Sequence, residues 1–356
     1  MKGPAHFRTL VVTALFFLFA HQTMGQNARN QKTGTEKEKL KALIVDGQNN
    51  HGIWPKTTAM MKDYLEQTGL FQVDVARTKF VWQGPHNDGD PNLGEEKRKQ
   101  LLTLYPVGTD HAEETNKPKM DPDFKPDFSK YDVVISNFGW MAAPWPDETK
   151  KGLEQFISNG GGLVVVHAAD NSFPEWKEFN QMIAMGAWGN RNEKDGPYVY
   201  YDNDGKLIRD NSPGPAGSHG RQYEFLITVR DTTHPITRGM PTQWLHAQDE
   251  MYDRLRGPAE NMTIIGTAFS DEEKNASHFS PLRGTNHHEP MLITVSYGSG
   301  RIFHTPLGHA DYSMECVGFI TLLQRACEWA ATGKVTQALP KDFPTKDKVS
   351  QRAWGK

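Results

Sequence analysis

Cysteine is scarce in this chain of 356 residues, which contains only Cys316 and Cys327. Both fall in one apolar pattern near the C-terminus that predicts a helix, and at 1.5 Å of rise per residue they lie about 16 Å apart. A disulfide needs Cα atoms within about 7 Å of each other. The two cysteines are therefore not bridged to one another, and we interpret both as small buried hydrophobic residues.

Excess charge of one sign is also lacking, because 40 basic and 43 acidic residues leave a formal net charge of −3. This balance excludes the strongly basic surface that attracts nucleic acids or anionic membranes, so we expect no nucleic-acid partner. The short motifs HExxH and CxxC, which announce many zinc sites, do not occur. No single motif therefore predicts a metal site.

An apolar run at Leu10–Ala20 follows the basic residues Lys2 and Arg8. The run is shorter than the roughly 20 residues that a membrane-spanning helix needs, and the pattern is typical of a secretory signal peptide. We predict a signal peptide over residues 1–25, with no lipobox cysteine, and a flexible lead-in over 26–39. The expected location is the bacterial periplasm or the outside of the cell, with no stable membrane insertion after cleavage.

The rest of the chain alternates between strand and helix patterns, which is typical of an α/β doubly wound parallel sheet in a single domain with long loop insertions. Strands are predicted at 41–46, 71–75, 132–136, 162–166, 223–229, 262–268, 291–296 and 301–305. Helices are predicted at 57–68, 147–158 and 317–331. Residues 82–130 are rich in turn-forming residues around one helical patch at 95–104, and they predict an insertion or lid. The domain spans 40–335, and 336–356 form a C-terminal tail.

Three histidines follow predicted strands. His167 comes directly after a buried strand, at the carboxyl edge where open α/β sheets bind ligands. His51 follows the first strand, and His309 follows Gly308, whose missing Cβ allows close backbone approach. We expect His51, His167 and His309 to cluster at this edge. The alternative for His167 is a core histidine bonded to a backbone carbonyl.

His246, Asp249 and Glu250 fall in one predicted loop. The spacing of His246 and Asp249 suits shared metal ligation on a helical turn, and Glu250 could act as a base. The alternative is a solvated acidic turn. His246, Asp249 and His309 are the candidate metal ligands, and a divalent ion such as Zn²⁺ suits these groups. The same groups could instead perform metal-free acid–base chemistry on a sugar.

Other polar and aromatic residues complete the predicted site. Residues expected to bind substrate are Asn49, Asn50, Trp140, Asp170, Trp188 and His309. Trp54 and Trp145 are further candidates for stacking on sugar rings. His304 is interpreted as structural, and His287 and His288 as surface histidines.

Several motifs, taken in order, resemble the ThuA-like (trehalose-utilisation) family. They are Asn49–His51, Gly160–Ala168, Asp249–Tyr252, Glu289–Met291 and Tyr297–His309. The resemblance implies a class I glutamine-amidotransferase-like fold, which is a flavodoxin-like parallel sheet. In true amidotransferases a nucleophilic cysteine follows the central strand, where this chain has His167. Amidotransferase activity is therefore not expected, because that mechanism needs a thiolate.

The resemblance implies a substrate class of disaccharides, including oxidised keto-sugars. We predict a hydrolase, lyase or isomerase in which His167, His51, Glu250 and Asp249 carry the catalysis, with a small-molecule carbohydrate as partner and no nucleotide cofactor. The alternative is a non-catalytic sugar-binding module. A glycosidase with two flanking carboxylates is disfavoured, because Asp249 and Glu250 are neighbours whose side chains should diverge. The sequence leaves the oligomeric state open.

Overall fold

The computed structural model describes residues 38–86, 95–106 and 112–355, together with Met1 and Gly3. The predicted signal peptide and lead-in fall almost wholly outside the described residues. The chain divides between Glu38 and Lys39, and residues 39–356 form one compact unit. In the described part of the chain, no helix has the length and apolar character needed to cross a membrane.

Twelve strands and six α-helices make up the described part of this unit. The strands are β1 (Leu40–His51), β2 (Phe71–His86), β3 (Glu113–Glu114), β4 (Val133–Ser136), β5 (Gly162–Val166), β6 (Tyr198–Tyr201), β7 (Leu207–Asp210), β8 (Tyr223–Val229), β9 (Gln243–Asp249), β10 (Met262–Phe269), β11 (His288–Tyr297) and β12 (Gly300–Thr305). The helices are α1 (Trp54–Glu66), α2 (Glu95–Leu104), α3 (Asp147–Ser158), α4 (Lys177–Ile183), α5 (Asp311–Met314) and α6 (Val317–Thr332). Short 3-10 turns occupy Phe128–Lys130 and His167–Asn171.

The sheet has the order β3-β2-β1-β4-β5-β12-β11-β10-β8-β9. From β3 to β12 the neighbouring strands are parallel, which confirms the predicted α/β doubly wound core. From β12 onward the pairs are antiparallel, so the sheet as a whole is mixed. The direction reverses at the tight turn between β11 and β12, where Gly298 has a φ of +58°. A turn this short can join only antiparallel strands.

The central strands are covered on both faces, which explains their continuous apolar runs. Side chains alternate between faces along a strand. In β1, Ala42 and Ile44 pack in one core with residues of α1 and α6. Leu43 and Val45 pack in a second core with residues of α3 and α4. The two cores hold the carboxyl ends of the parallel strands at one edge.

The region predicted as an insertion over 82–130 begins differently from the prediction. β2 continues to His86 instead of ending near residue 75, because its second half still pairs with β1 up to His51. The helical patch expected at 95–104 is present as α2. Whether this region acts as a lid stays a prediction.

Gly162 offers a test of the packing between β5 and α6. A Cβ added there would lie 2.7 Å from the backbone carbon of Ala330, so Gly162→Ala should lower the free energy of unfolding by about 1–3 kcal/mol. Gly152→Ala in α3 is the control, since its Cβ would meet Phe128 at an ordinary 3.6 Å, and alanine favours the helix by up to about 1 kcal/mol. Urea denaturation measures both, and equal shifts in the two variants would contradict this packing.

Candidate functional site

Three imidazole rings meet at the carboxyl edge of the parallel strands. His51 ends β1, His167 follows β5 and His309 follows β12. The ring centroids are 5.0 Å apart for His51 and His167, 4.6 Å for His51 and His309, and 5.0 Å for His167 and His309. One ring nitrogen from each lies within 4.8 Å of the other two, and all three residues are buried. The structure thus brings together the three histidines that the sequence singled out.

His167 has a defined tautomer and an unusual backbone conformation. Its φ of +47° lies in the left-handed region, which residues other than glycine seldom occupy. Its Nδ1 lies 2.7 Å from the carbonyl oxygen of Pro306, and because a carbonyl only accepts, Nδ1 carries the hydrogen. Burial and the neighbouring histidines His51 and His309 lower the pKa of His167 to about 3. The ring is therefore neutral, with a lone pair on Nε2.

The lone pair of His167 Nε2 faces two polar groups. The hydroxyl of Tyr252 lies 3.1 Å away and donates to it, and Nδ1 of His309 also lies 3.1 Å away. Burial raises the pKa of Tyr252 well above its usual value, so the phenol keeps its proton. Tyr252 is a site residue that sequence reasoning missed, although it lies in the Asp249–Tyr252 motif.

Glu250 faces the histidines from the chain segment after β9. Its Oε2 lies 3.0 Å from His309 Nδ1, 3.5 Å from His219 Nε2 and 3.8 Å from His167 Nε2. Burial raises the pKa of Glu250, but the nearby histidines, His309 first, more than offset this and hold the pKa well below its usual value. The site therefore combines an ionised carboxylate with a neutral imidazole.

Asp249 points away from the cavity and holds the chain around it. Its Oδ1 accepts hydrogen bonds from the backbone amides of Glu250 at 2.8 Å and His309 at 3.1 Å. Its Oδ2 accepts from the backbone amide of Gly308 at 2.8 Å and from Nε2 of His246 at 2.7 Å. Burial by itself would lower the pKa of His246. The effects of Cys316 and Asp249 are larger in sum and raise this pKa to about 10. Asp249 and His246 therefore form a buried ion pair that positions its neighbours.

The metal ligands predicted from sequence need a geometric correction. His246 and Asp249 lie at the end of β9, not on a helical turn, and their side chains bond to each other. The ring nitrogens that converge belong to His51, His167 and His309. His309 is therefore the one predicted metal ligand that lies in this group. The side chains of Asp249 and Glu250 diverge, as expected for adjacent residues in extended chain.

A cavity of about 370 Å³ opens beside the histidines. Its lining combines aromatic and polar side chains. It is lined by Asn50, His51, Trp140, Asn171, Trp188, His219, Gln222, Glu250, Tyr252, His278 and Phe279. Sequence reasoning missed four of these residues, because they lie outside helices and strands, where no periodic pattern singles them out. They are His219, Gln222, His278 and Phe279.

Two of the four tryptophans proposed for stacking lie elsewhere. Trp54 is 1% exposed and donates its indole N–H to the backbone of Trp82. Trp145 is 3% exposed and packs among aromatic rings in the core. Both belong to the interior, so the stacking hypothesis is wrong for them. Trp140 and Trp188 line the cavity.

The polar residues predicted to bind substrate have different surroundings. Asn50 lines the cavity, and its Nδ2 lies 3.0 Å from His51 Nε2. Asn49 instead donates to the backbone carbonyl of Phe138 at 3.0 Å, which joins the end of β1 to the segment after β4. Asp170 is buried and lies 3.0 Å from His304 Nε2. Asn49 and Asp170 therefore bond to neighbouring protein groups and do not line the cavity.

The sequence profile of ThuA, described as trehalose utilisation, matches residues 95–330. A ThuA-like protein of Parabacteroides merdae is 41% identical, with 89% of this chain and 98% of that chain covered and a TM-score of 0.71. The chain belongs to the ThuA family. A ThuA-like protein of Bacteroides uniformis is 16% identical, with 83% and 93% of the two chains covered and a TM-score of 0.47. A search of curated proteins found no match.

Behind the cavity of this ThuA-family protein, two buried carboxyl groups anchor the segment 270–287, which carries His278 and Phe279. Asp253 accepts hydrogen bonds from Ser270 Oγ at 2.7 Å and from Asn275 Nδ2 at 3.0 Å. Glu289 accepts from Thr285 Oγ1 at 2.7 Å. Burial first, and then the charge of Asp253, raise the pKa of Glu289 to about 8.

This raised pKa predicts a pH-dependent stability. The folded state binds the Glu289 proton more tightly than the unfolded chain, so the stabilisation is present below pH 4.5 and is lost as the pH rises through about 8. Thermal unfolding should therefore show wild type losing several degrees relative to Glu289→Gln across this range. Glu272→Gln, which changes an exposed carboxylate in the same segment, should track wild type. Parallel profiles for wild type and Glu289→Gln would contradict the assignment.

Proposed function

We propose that this protein is a carbohydrate-processing enzyme, a hydrolase, lyase or isomerase, with a divalent metal held by His51, His167 and His309. The observation that carries the proposal is the convergence of three buried imidazoles beside the ionised Glu250, next to a cavity lined in part by aromatic side chains. Membership of the trehalose-utilisation family supports a disaccharide or keto-sugar as substrate. From the sequence pattern we also propose export, directed by residues 1–25.

The three histidines suit a metal such as Zn²⁺. Nitrogen ligands about 2.0–2.1 Å from a tetrahedral zinc are roughly 3.4 Å apart, and His167 Nε2 lies 3.1 Å from His309 Nδ1. A void of about 10 Å³ is bounded in part by the three rings, which is about the space that one water-sized particle fills. His167 donates its Nδ1 hydrogen to the carbonyl of Pro306, which leaves Nε2 available to a metal. Metal-bound histidines usually have a hydrogen bond of this kind from their other ring nitrogen.

A metal bound there would polarise a carbonyl or hydroxyl oxygen of the sugar. Glu250 is ionised and lines the cavity, so it can take a proton from a hydroxyl or from the carbon next to a ketone. Tyr252 keeps its proton and can donate a hydrogen bond to a sugar oxygen. Of the described residues that line the cavity, Glu250 is the one carboxylate, which disfavours a glycosidase with two flanking carboxylates.

The metal assignment is tested by elemental analysis and thermal unfolding. Purified wild type, titrated with Zn²⁺, should bind on the order of one ion per chain and melt at a higher temperature when loaded. His309→Gln and His51→Gln should lose both effects. His287→Gln is the control, since His287 stacks on Tyr200 with ring centroids 4.2 Å apart and does not line the cavity. Retention of zinc in all three variants would refute the site.

Catalysis by Glu250 is tested with a panel of disaccharides and keto-sugars followed by mass spectrometry. Glu250→Gln should lower turnover by about 10²–10⁴-fold, the usual contribution of a general base, while zinc content stays that of wild type. Glu224→Gln, an exposed carboxylate on β8, should leave turnover unchanged. Sugar binding by wild type without any turnover would favour the non-catalytic binding module.

A further inference from the structure

A second groove adjoins the cavity beside the histidines. Trp140, Asn171 and Trp188 line both the 370 Å³ cavity and a neighbouring groove of about 610 Å³. A ligand bound in the cavity can therefore extend past these three side chains into the groove. The two spaces together are larger than a single sugar ring needs.

Asn171 lies where the cavity and the groove meet, and its side-chain oxygen Oδ1 has no hydrogen-bond partner among the described residues. The residue is 2% exposed. Its Nδ2 donates to the hydroxyl oxygen of Tyr252 at 3.4 Å. A buried acceptor such as Oδ1 is costly unless a ligand or water donates to it.

The groove beyond this junction is mostly apolar. Met141, Pro174, Pro215 and Ala216 lie in its walls, and Met141 is 52% exposed. Two polar side chains, Glu175 and Asn190, also border it. The guanidinium of Arg191 also borders the groove, but it already donates to the backbone of Ala187 at 2.8 Å and Ser172 at 3.0 Å. The groove therefore offers apolar contact and ring stacking more than hydrogen bonds.

The backbone around this groove is held in an uncommon conformation. Met141, Trp188 and Asn190 have φ values of +66°, +50° and +62°. Such conformations cost energy in residues other than glycine, and they concentrate at ligand sites. Here they present Met141 and Trp188 to the groove instead of to the core.

We propose that the groove is an aglycone subsite, so that the ligand is an aryl glycoside whose sugar occupies the cavity and whose aromatic group occupies the groove. Asn171 accepts a hydrogen bond from a ligand hydroxyl at the junction. This inference rests on the proposed function, because it assigns the sugar to the cavity beside the histidines. It narrows the proposed substrate from a disaccharide to a glycoside with an aromatic group, because a second sugar ring would place most of its hydroxyls against apolar walls.

Isothermal titration of the full chain, with and without zinc, tests the proposal. The probes are phenyl glucoside and methyl glucoside, each as both anomers, and trehalose. Phenyl glucoside of one anomer should bind roughly tenfold tighter than the matching methyl glucoside, since a phenyl ring is removed from water. Equal affinities of the phenyl and methyl glucosides, or tighter binding of trehalose, would overturn the subsite and leave the carbohydrate function standing. If none of these glycosides binds, the subsite fails, and the proposed function fails with it only if the panel of disaccharides and keto-sugars also shows neither binding nor turnover.

Two variants connect the preference to the groove. Met141→Ala should reduce the ratio of phenyl to methyl affinity about threefold or more, because apolar surface is lost. Alanine and methionine pay the same backbone cost at a φ of +66°, so the substitution should leave backbone strain in the folded state unchanged. Met120→Ala is the control, since Met120 is 48% exposed and borders neither space. Asn171→Leu should weaken binding of both glucosides, and an unchanged affinity ratio in Met141→Ala would refute the groove as the binding place.

Discussion

The buried carboxylate of Asp249 is the interaction on which the site depends. It accepts four hydrogen bonds, from His246 and from the backbone amides of Glu250, Gly308 and His309. These bonds tie the end of β9, in the antiparallel half of the sheet, to the chain that leaves β12. His309 is thereby held against the histidines of β1 and β5, and Glu250 is turned toward them. A carboxylate that is fully buried needs this many donors, because an unpaired charge in the interior is very costly.

The electrostatics of the site follow from the same arrangement. His167 is neutral because it is buried among other histidines, and its tautomer is set by one backbone carbonyl. Glu250 stays ionised in the same interior because His309 and His219 lie beside it and lower its pKa. An ionised carboxylate thus lies beside a neutral imidazole in an interior where burial alone would protonate the carboxylate. Burial and specific partners together produce it.

Membership of the ThuA family accounts for the sheet and leaves the chemistry to be read from the side chains. At the position after the central strand, where the resemblance to amidotransferases implies a nucleophilic cysteine, this chain has His167 in a left-handed conformation. Cys316 and Cys327 are buried and free. Imidazoles, and not a thiol, therefore occupy this strand edge.

The sequence by itself determined many of the helices and strands, though not β6, β7 and β9, and the edge at which the histidines meet. The periodic apolar patterns predict α3 over Asp147–Ser158 and the hairpin of β11 and β12, because these patterns are local and repeat every 3.6 or 2 residues. His51, His167 and His309 were brought together by a simple rule: the carboxyl ends of parallel strands share one edge.

Only the tertiary structure decided which groups face the cavity. The bond between His246 and Asp249 and the burial of Trp54 were not visible in spacing. The contact of Tyr252 with His167 joins residues 85 positions apart. Such contacts depend on the direction of each side chain after distant segments have packed, and composition and periodicity carry no information about that direction.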